Sequence, residues 1–239
     1  MDLIINGFAV EAHFSPDEIE NGLVPLLSLL TEKQRALGRR LTAFLSAPPA
    51  AGKSTLCAAL EKLSREREGL TPVQALGLDG FHYPAAYIAR HTVIRGGMEI
   101  PMRRVKGAPD TYDAGKLADL LAAVRRGEPV LWPGYSRLTH DVTPGETPVT
   151  ADIVIVEGNW LLLPQKPWSD LACDVSIRLE TDFSALRARL IARKMRGGLT
   201  ESEAEAFYEE TDGPNAALWL SESRKADITI RLDQQEGNI

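Results

Sequence analysis

Short apolar runs alternate with longer amphipathic segments from Leu41 to the end of the chain. The runs LTAFLSA, VQALGL, ADIVIVEG, DVSIRLE and ADITIRL each predict a strand, and ADIVIVEG has the unbroken apolar core of a buried strand in a parallel sheet. Helical patterns lie between them, at residues 53–68, 113–127, 182–196 and 202–210. Strands that alternate with helices predict an α/β fold with a parallel sheet.

The N-terminal segment has a different pattern. LII and FAV flank an Asn-Gly dipeptide, residues 6–7, which suits the tight turn of a hairpin. The segment SPDE that follows has the spacing of a helix capping box with proline in the first turn. The helix that begins there is predicted to run towards Leu37, and Gly22 and Pro25 are predicted to split it.

Length and charge limit the organisation and the partners. The 239 residues suit one α/β domain with an elaboration, so we assign residues 1–38 to an N-terminal extension and residues 39–239 to the domain. The net charge of −6 argues against a nucleic-acid partner, since such proteins carry a basic face. A phosphate-bearing small molecule is compatible with this charge, because a few focused cations and backbone N–H groups bind it.

The two cysteines and the apolar runs indicate the compartment. Cys57 and Cys173 have no metal-ligand spacing and are expected to be reduced thiols. No run reaches the roughly eighteen apolar residues of a membrane span, and the first residues lack the pattern of a secretory signal. The sequence therefore predicts a cytoplasmic protein with no membrane partner.

The loop after LTAFLS carries the first candidate chemistry. APPAAGKST, residues 47–55, nearly matches G-x-x-x-x-G-K-[ST], whose backbone N–H groups cradle phosphates at a helix N-terminus. Lys53 would reach the β- and γ-phosphates of ATP, and Ser54 would offer its hydroxyl to Mg²⁺. Ala47 stands in place of the first glycine, and its methyl is tolerable there if φ is negative. The predicted nucleotide-binding residues are Pro48, Pro49, Ala50, Ala51, Gly52, Lys53, Ser54 and Thr55.

Two carboxylates and a cationic helix end complete the candidate site. Asp79 follows the second strand and Glu157 ends the third, at the edge where open α/β sheets place their reacting groups. Glu157 has the position of a metal-supporting carboxylate. Arg193 and Arg196, before a Gly-Gly hinge, predict a lid around residues 190–213. A turn cap for Asp79 and an exposed helix end for the arginines are the alternatives.

Motifs that are missing narrow the class of protein. The chain has no N-K-x-D, which weighs against a Ras-like GTPase, and no L-S-G-G-Q, which weighs against an ABC-type ATPase. A small-molecule kinase is left.

Four ordered segments carry a family resemblance. LDGFHYP resembles T-D-G-F-L-H-P of pantothenate kinases, RRVKGAPDTYD resembles R-K-G-F-P-E-S-Y-D, GYSRLTHDVTP resembles V-Y-S-H-L-x-Y-D-V-x-P, and IVIVEGNWLL resembles a strand that ends in E-G. Residues 41–232 thus resemble the P-loop kinase group of uridine kinase, phosphoribulokinase and bacterial type I pantothenate kinase. Within it they resemble the bacterial subgroup often labelled nucleoside/nucleotide kinase-like or fructose-transport-system kinase. The resemblance implies a three-layer α/β/α P-loop NTPase fold with a mainly parallel sheet and a helical lid.

The resemblance also implies roles for single residues. Asp79 matches a carboxylate that orients or deprotonates the acceptor hydroxyl, and Tyr135 matches a substrate-contacting tyrosine. Arg196 matches a lid arginine that follows the transferred phosphoryl group, and Asn215 matches a substrate-binding asparagine. Arg137 departs from the family, since it stands where a substrate-contacting histidine is expected. A guanidinium at this place indicates an anionic or strongly polyhydroxylated substrate.

Three further residues are predicted near the acceptor. Lys106 and Tyr112 belong to a loop over the acceptor site, although a basic run such as RRVK is more often a solvated face. His82 either lines the pocket or is a structural histidine bonded to the backbone.

The predicted activity is ATP- and Mg²⁺-dependent phosphoryl transfer to a hydroxyl of a small metabolite. A sugar, a nucleoside and a pantothenate-like alcohol all fit as acceptors. Lys53, Asp79, Arg193 and Arg196 would be catalytic, and Ser54 and Glu157 would hold the metal. The alternatives are a P-loop NTP hydrolase and a regulatory nucleotide-binding protein without an acceptor. Relatives in this group are often dimers or larger, so a homodimer is compatible with the resemblance.

Overall fold

A computed structural model describes residues 1–5 and 7–232. Asn6, half of the predicted hairpin turn, and residues 233–239 lie outside the described residues. The strands are β1 (Asp2–Ile5), β2 (Phe8–Glu11), β3 (Leu41–Ser46), β4 (Val73–Gly77), β5 (Thr92–Arg95), β6 (Met98–Pro101), β7 (Leu131–Ser136), β8 (Asp141–Pro148), β9 (Ile153–Gly158), β10 (Val175–Glu180) and β11 (Ile228–Arg231). The α-helices are α1 (Val24–Leu37), α2 (Lys53–Glu66), α3 (Ala85–Ile88), α4 (Ala114–Arg125), α5 (Phe183–Arg196), α6 (Glu201–Phe207) and α7 (Gly213–Glu222).

The five apolar runs form one parallel sheet in the order β11-β10-β3-β9-β4. All six residues of β3 are buried, as expected for a central strand covered on both faces. Ser46 pairs with Gly158 and Gly77 pairs with Glu157, so β3, β9 and β4 end side by side. The predicted α/β class with a parallel sheet is confirmed.

The strand order decides where a ligand can bind. From β3 the chain crosses to β4 and β9 on one side of the sheet, and later to β10 and β11 on the other. In an open α/β sheet, the crevice at such a change of direction lies outside the carboxyl ends of the strands. That crevice opens directly after Ser46.

The N-terminal segment packs on this sheet domain. β1 and β2 form an antiparallel hairpin whose Leu3 and Val10 belong to the same hydrophobic core as the sheet. The predicted split of the following helix is wrong. The chain stays helical from the π-helical turn at Glu18–Leu23 into α1, and Pro25 is accommodated at the second position of α1, directly after the change of helix type. The domain boundary near residue 38 stays a prediction.

Two antiparallel hairpins, β5–β6 and β7–β8, were not predicted from the sequence. The β7–β8 hairpin packs on the 3₁₀ turn Leu78–Phe81 that follows β4. Trp132 Nε1 donates to the carbonyl of Gly77 at 2.9 Å, and its ring meets Phe81 edge-on at 4.9 Å. This hairpin therefore forms one wall beside the end of β4.

Asp174 links the ends of several elements at the opposite edge of the sheet. Its carboxylate accepts two hydrogen bonds from Arg39, at 2.6 and 3.0 Å, and one from Arg125 at 3.0 Å. It also accepts from the backbone N–H of Thr42 at 2.9 Å. Burial acts to raise the pKa of Asp174, but these partners outweigh it and the pKa is lowered.

Replacement of Asp174 by asparagine is expected to destabilise the protein by about 2 kcal/mol at neutral pH, because two guanidinium groups lose their buried counter-charge. Since the folded pKa is lowered, the carboxylate stabilises the fold above its ordinary pKa of 3.8, and this stabilisation is lost as the pH falls through the lower folded value. Urea unfolding of both proteins at pH 7 and at pH 3 tests this expectation. An equal difference in unfolding free energy at both pH values would contradict it.

Candidate active site

The loop between β3 and α2 has the predicted strand–turn–helix context. Gly52, the residue before α2, has a φ of +91°. Ala47 is fully buried and does not have a positive φ, so its methyl is accommodated at the strand exit. The strained residue is Ala50 instead, with a φ of +61°, a conformation that costs a non-glycine residue about 1 kcal/mol.

Lys53 begins α2 and is buried under this loop. Its ammonium donates to the carbonyls of Ala47 at 3.1 Å and Pro48 at 2.9 Å, and to the side-chain oxygen Oδ1 of Asn159 at 2.6 Å. Burial lowers the pKa of Lys53, while the charges of Glu157 and Asp79 oppose that shift. The ammonium thus lies among the acceptors that line the loop.

Ser54 and Glu157 meet at the end of β9. The Ser54 hydroxyl donates to Oε1 of Glu157 at 2.6 Å. Burial raises the pKa of Glu157, and the opposing influences are the charge of Lys53, the Ser54 hydrogen bond and the charge of Arg137. The two predicted metal-site residues are therefore in direct contact.

Two glycines let the carboxylate-bearing turns pack closely. A Cβ on Gly80 would lie 2.1 Å from the carbonyl oxygen of Pro133, and a Cβ on Gly158 would lie 2.5 Å from the Cβ of Leu78. Any side chain at either position would push the turn away from its neighbour. These contacts fix the residues that precede them, Asp79 and Glu157, at adjacent strand ends.

Asp79 lies beside an aromatic pair. Tyr112 is buried next to Asp79, and burial first, then the charge of Asp79, raise the pKa of Tyr112 well above its ordinary value. The His82 ring stacks on Tyr112 at 3.8 Å and contacts the carbonyl of Thr111 through Nδ1 at 3.2 Å. Burial lowers the pKa of His82 from 6.5, so this ring is neutral at pH 7. His82 thus has a backbone contact and a place in the site.

The predicted acceptor loop faces the same place. The Lys106 ammonium lies 5.2 Å from the centre of the Tyr135 ring and donates to the carbonyl of His140 at 2.6 Å. Its charge also acts on the pKa of His82. Arg137, in the turn of the β7–β8 hairpin, is exposed. Asn215 is buried in α7, with Nδ2 3.8 Å from where a Cβ on Gly107 would be.

The two predicted lid arginines differ in their surroundings. Arg193 is half-buried, lies 3.8 Å from Oδ2 of Asp212, and its charge contributes to the lowered pKa of Lys53. Arg196 is exposed at the end of α5 and makes no ion pair with any residue of the described ranges. The structure thus brings Arg193, rather than Arg196, towards the phosphate loop.

Relatives and solved structures share this architecture. No family model matches the chain. The uncharacterized protein YggC of Escherichia coli K12 is 41% identical over 98% of this chain and 96% of its own length. A "putative uridine kinase" of Schizosaccharomyces pombe is 34% identical over 83% of this chain and 81% of its own length. The crystal structure of a "putative fructose transport system kinase" from Silicibacter sp. TM1040 superposes with a TM-score of 0.72 at 30% identity, over 85% of this chain and 98% of that one.

The chain belongs to the P-loop kinases. The pantothenate kinase of Paenarthrobacter aurescens is a further relative, 31% identical over 70% of this chain, which spans 54% of that enzyme. The predicted family is therefore confirmed, and so is the predicted class of activity, phosphoryl transfer from ATP to a hydroxyl of a small molecule. A hydrolase without an acceptor is not favoured.

Sequence reasoning missed two residues of this kinase. Asn159 contacts Lys53, and only its place two residues after Glu157 could have indicated this. Asp212 is buried, and its Oδ2 has no hydrogen-bond partner within the described part of the chain. Nothing in the sequence around Asp212 marks it, because its contact with Arg193 depends on how the π-helical turn Tyr208–Asp212, before α7, packs on α5.

No helix in the described ranges is long and apolar enough to cross a lipid bilayer. Cys57 and Cys173 are both free thiols, as predicted.

Proposed function

We propose that this P-loop kinase phosphorylates a hydroxyl group of a small metabolite that also carries an anionic group. The observation that carries the proposal is the position of Lys106. Its ammonium lies 5.2 Å from the centre of the Tyr135 ring, its charge acts on His82, and it makes no ion pair with a carboxylate in the described residues. The charge of Lys106 reaches Asp141 without a direct ion pair. A cation on the acceptor side without a salt-bridge partner suits a carboxylate or phosphate group of the substrate.

The nucleotide side of the site would bind ATP through the loop and α2. Backbone N–H groups of residues 48–55 would surround the phosphates, and Lys53 would contact the β- and γ-phosphates. Thr55, half-buried one residue further along α2, would contact the α-phosphate.

Ser54 and Glu157 fit Mg²⁺. A hydroxyl and one carboxylate supply oxygen ligands and leave the other positions to phosphates and water, which is how Mg²⁺ is usually held in kinases. Consistent with this, the described residues form no dedicated cage of three or more His, Cys, Asp or Glu side chains. When bound, Mg²⁺ neutralises charge on the β- and γ-phosphates.

Asp79 would hold the acceptor hydroxyl. It is exposed at the end of β4, where it can accept the hydroxyl proton, and Tyr112 lies beside it. The neutral His82 ring packs on Tyr112 and keeps it in place. Arg193, and Arg196 after movement of the lid, would neutralise the transferred phosphoryl group.

The anionic end of the acceptor would lie between two cations, Lys106 of the acceptor loop and Arg137 of the β7–β8 hairpin. Asn215, buried behind Gly107, would support the loop that carries Lys106. Hydroxy acids and phosphorylated or oxidised sugars have this chemistry. Uncharged sugars and nucleosides do not use the cations.

A thermal-shift screen of hydroxyl compounds, with ADP and Mg²⁺ present, would find the acceptor. The variant Lys106→Met would then test whether the acceptor is recognised through an anionic group. The variant is expected to raise KM for an anionic acceptor by about tenfold or more, with KM for ATP unchanged, because only the acceptor's charge loses its partner. Lys116→Met, on the exposed face of α4, is the matched control. If the best acceptor is uncharged, or if Lys106→Met leaves its KM unchanged, the proposal of an anionic acceptor is wrong.

The proposed partners are otherwise limited. The net charge of −6 supports the absence of a nucleic-acid partner. We also propose a homodimer, which sedimentation velocity of the purified protein would test.

A further inference from the structure

The ammonium of Lys53 has no free donor. A lysine ammonium has three N–H groups. Three oxygens accept from it within 3.1 Å: the carbonyls of Ala47 and Pro48, and Oδ1 of Asn159. A phosphate oxygen can therefore bind Lys53 only if one of these three contacts is given up.

The three acceptors differ in how easily they move. The carbonyls of Ala47 and Pro48 belong to a buried loop stiffened by the Pro48-Pro49 pair. The main chain of Asn159 is also fixed, because its carbonyl accepts from the Ser46 hydroxyl at 2.9 Å, and that hydroxyl accepts from Trp219 Nε1 at 2.9 Å. The side chain of Asn159 has rotatable bonds and is only half-buried. It is the contact that can be exchanged at least cost.

The charges favour such an exchange. The amide oxygen of Asn159 is a neutral acceptor, whereas a phosphate oxygen is anionic and forms the stronger hydrogen bond with an ammonium. In the absence of phosphate, the buried ammonium still needs acceptors, since burial lowers the pKa of Lys53 and an unpaired buried charge is costly. A neutral side chain satisfies both requirements.

We propose that Asn159 is an exchangeable partner of Lys53, which holds the ammonium before nucleotide binds and is replaced by a phosphate oxygen when it binds. The inference rests on the proposed ATP site. Asn159 is then a positioning residue that stabilises the nucleotide-free enzyme and weakens nucleotide binding by the free energy of its own hydrogen bond.

Titration calorimetry with Mg·ADP tests the exchange in the full-length protein. Asn159→Ala is expected to bind ADP about tenfold more tightly than the wild type, because the competing contact, a hydrogen bond to a charged group, is gone. The same variant should lower the Tm of the nucleotide-free protein by about 2–4 °C and leave the Tm of the ADP-saturated protein unchanged. Asn159→Asp should bind ADP more weakly than the wild type, since a carboxylate there must give up an ion pair with Lys53.

Ser176→Ala is the matched control for a merely structural loss. Ser176 lies in β10, away from the phosphate loop, and its hydroxyl donates to a carboxylate oxygen of Asp227 at 2.6 Å. This variant should therefore lower Tm both with and without ADP and leave ADP affinity unchanged. Unchanged or weaker ADP binding by Asn159→Ala, beside normal binding by the wild type, would overturn the exchange alone. If the wild type itself did not bind Mg·ADP, both the ATP site and the exchange would be wrong.

Discussion

Lys53→Ala is expected to reduce phosphoryl transfer by at least about 10²–10³-fold while the protein stays folded. The side chain contacts three oxygens that line the phosphate loop. Its removal therefore takes away the cation that would neutralise charge developing between the β- and γ-phosphates, and it leaves the apolar core intact.

The measurement is kcat and KM for ATP, with circular dichroism as the check on folding. Lys62→Ala is the control on the same helix, because Lys62 is half-exposed and its one ion pair within the described residues is with Glu66, at 2.6 Å and one turn away. The control should keep wild-type kinetics. Near-normal turnover by a folded Lys53→Ala protein would remove Lys53 from the mechanism.

The central sheet could be predicted from the sequence because its middle strands, β3 and β9, are buried on both faces. An unbroken apolar run is a local signal, and β3 and β9 both show it, as LTAFLS and IVIVEG. The β5–β6 hairpin has a glycine turn, Gly96-Gly97, with positive φ. It was missed because none of its strand residues is buried, so its strands have no apolar run. The β7–β8 hairpin was obscured by proline and glycine within its strands, where the structure has register shifts.

The site divides in the same way. The sequence predicted Lys53, Ser54 and Glu157 because the loop motif and the strand end fix their backbone positions. Side chains that follow neighbouring strand ends then lie within contact distance, as Ser54 and Glu157 do. Asn159 could not, since its contact with Lys53 depends on one side-chain rotamer. The sequence could not show whether Arg193 or Arg196 lies nearer the phosphate loop, because residues three apart on α5 lie on the same side of the helix. In the structure, the contact with Asp212 distinguishes Arg193 from Arg196.

The phosphate loop tolerates the missing first glycine, as expected. Ala47 departs from the motif there, and its φ is not positive. Ala50 lies inside the motif, where any residue matches, and takes the left-handed conformation. A pattern of residue types does not report φ, so only the structure could show this.

Asp79→Asn is expected to separate binding from chemistry. Asparagine keeps the size of the side chain and can still form hydrogen bonds, so ATP and the acceptor should bind with little change. The negative charge that aligns the acceptor hydroxyl and takes its proton is lost, which should lower kcat by about 10²–10⁴-fold. Tyr112→Phe, which removes the neighbouring hydroxyl but keeps the charge of Asp79, should have a smaller effect on kcat.

The alternative roles of Asp79 predict different outcomes. A turn cap would be preserved by asparagine, so kcat and stability would stay unchanged, and the structure already disfavours this role because Asp79 lies inside the Leu78–Phe81 turn, which has no side-chain cap. A role on the metal alone would give a defect that shrinks at high Mg²⁺. The deciding measurement is kcat at saturating ATP and acceptor at two Mg²⁺ concentrations, and a large defect that is the same at both would leave the acceptor hydroxyl as the group on which Asp79 acts.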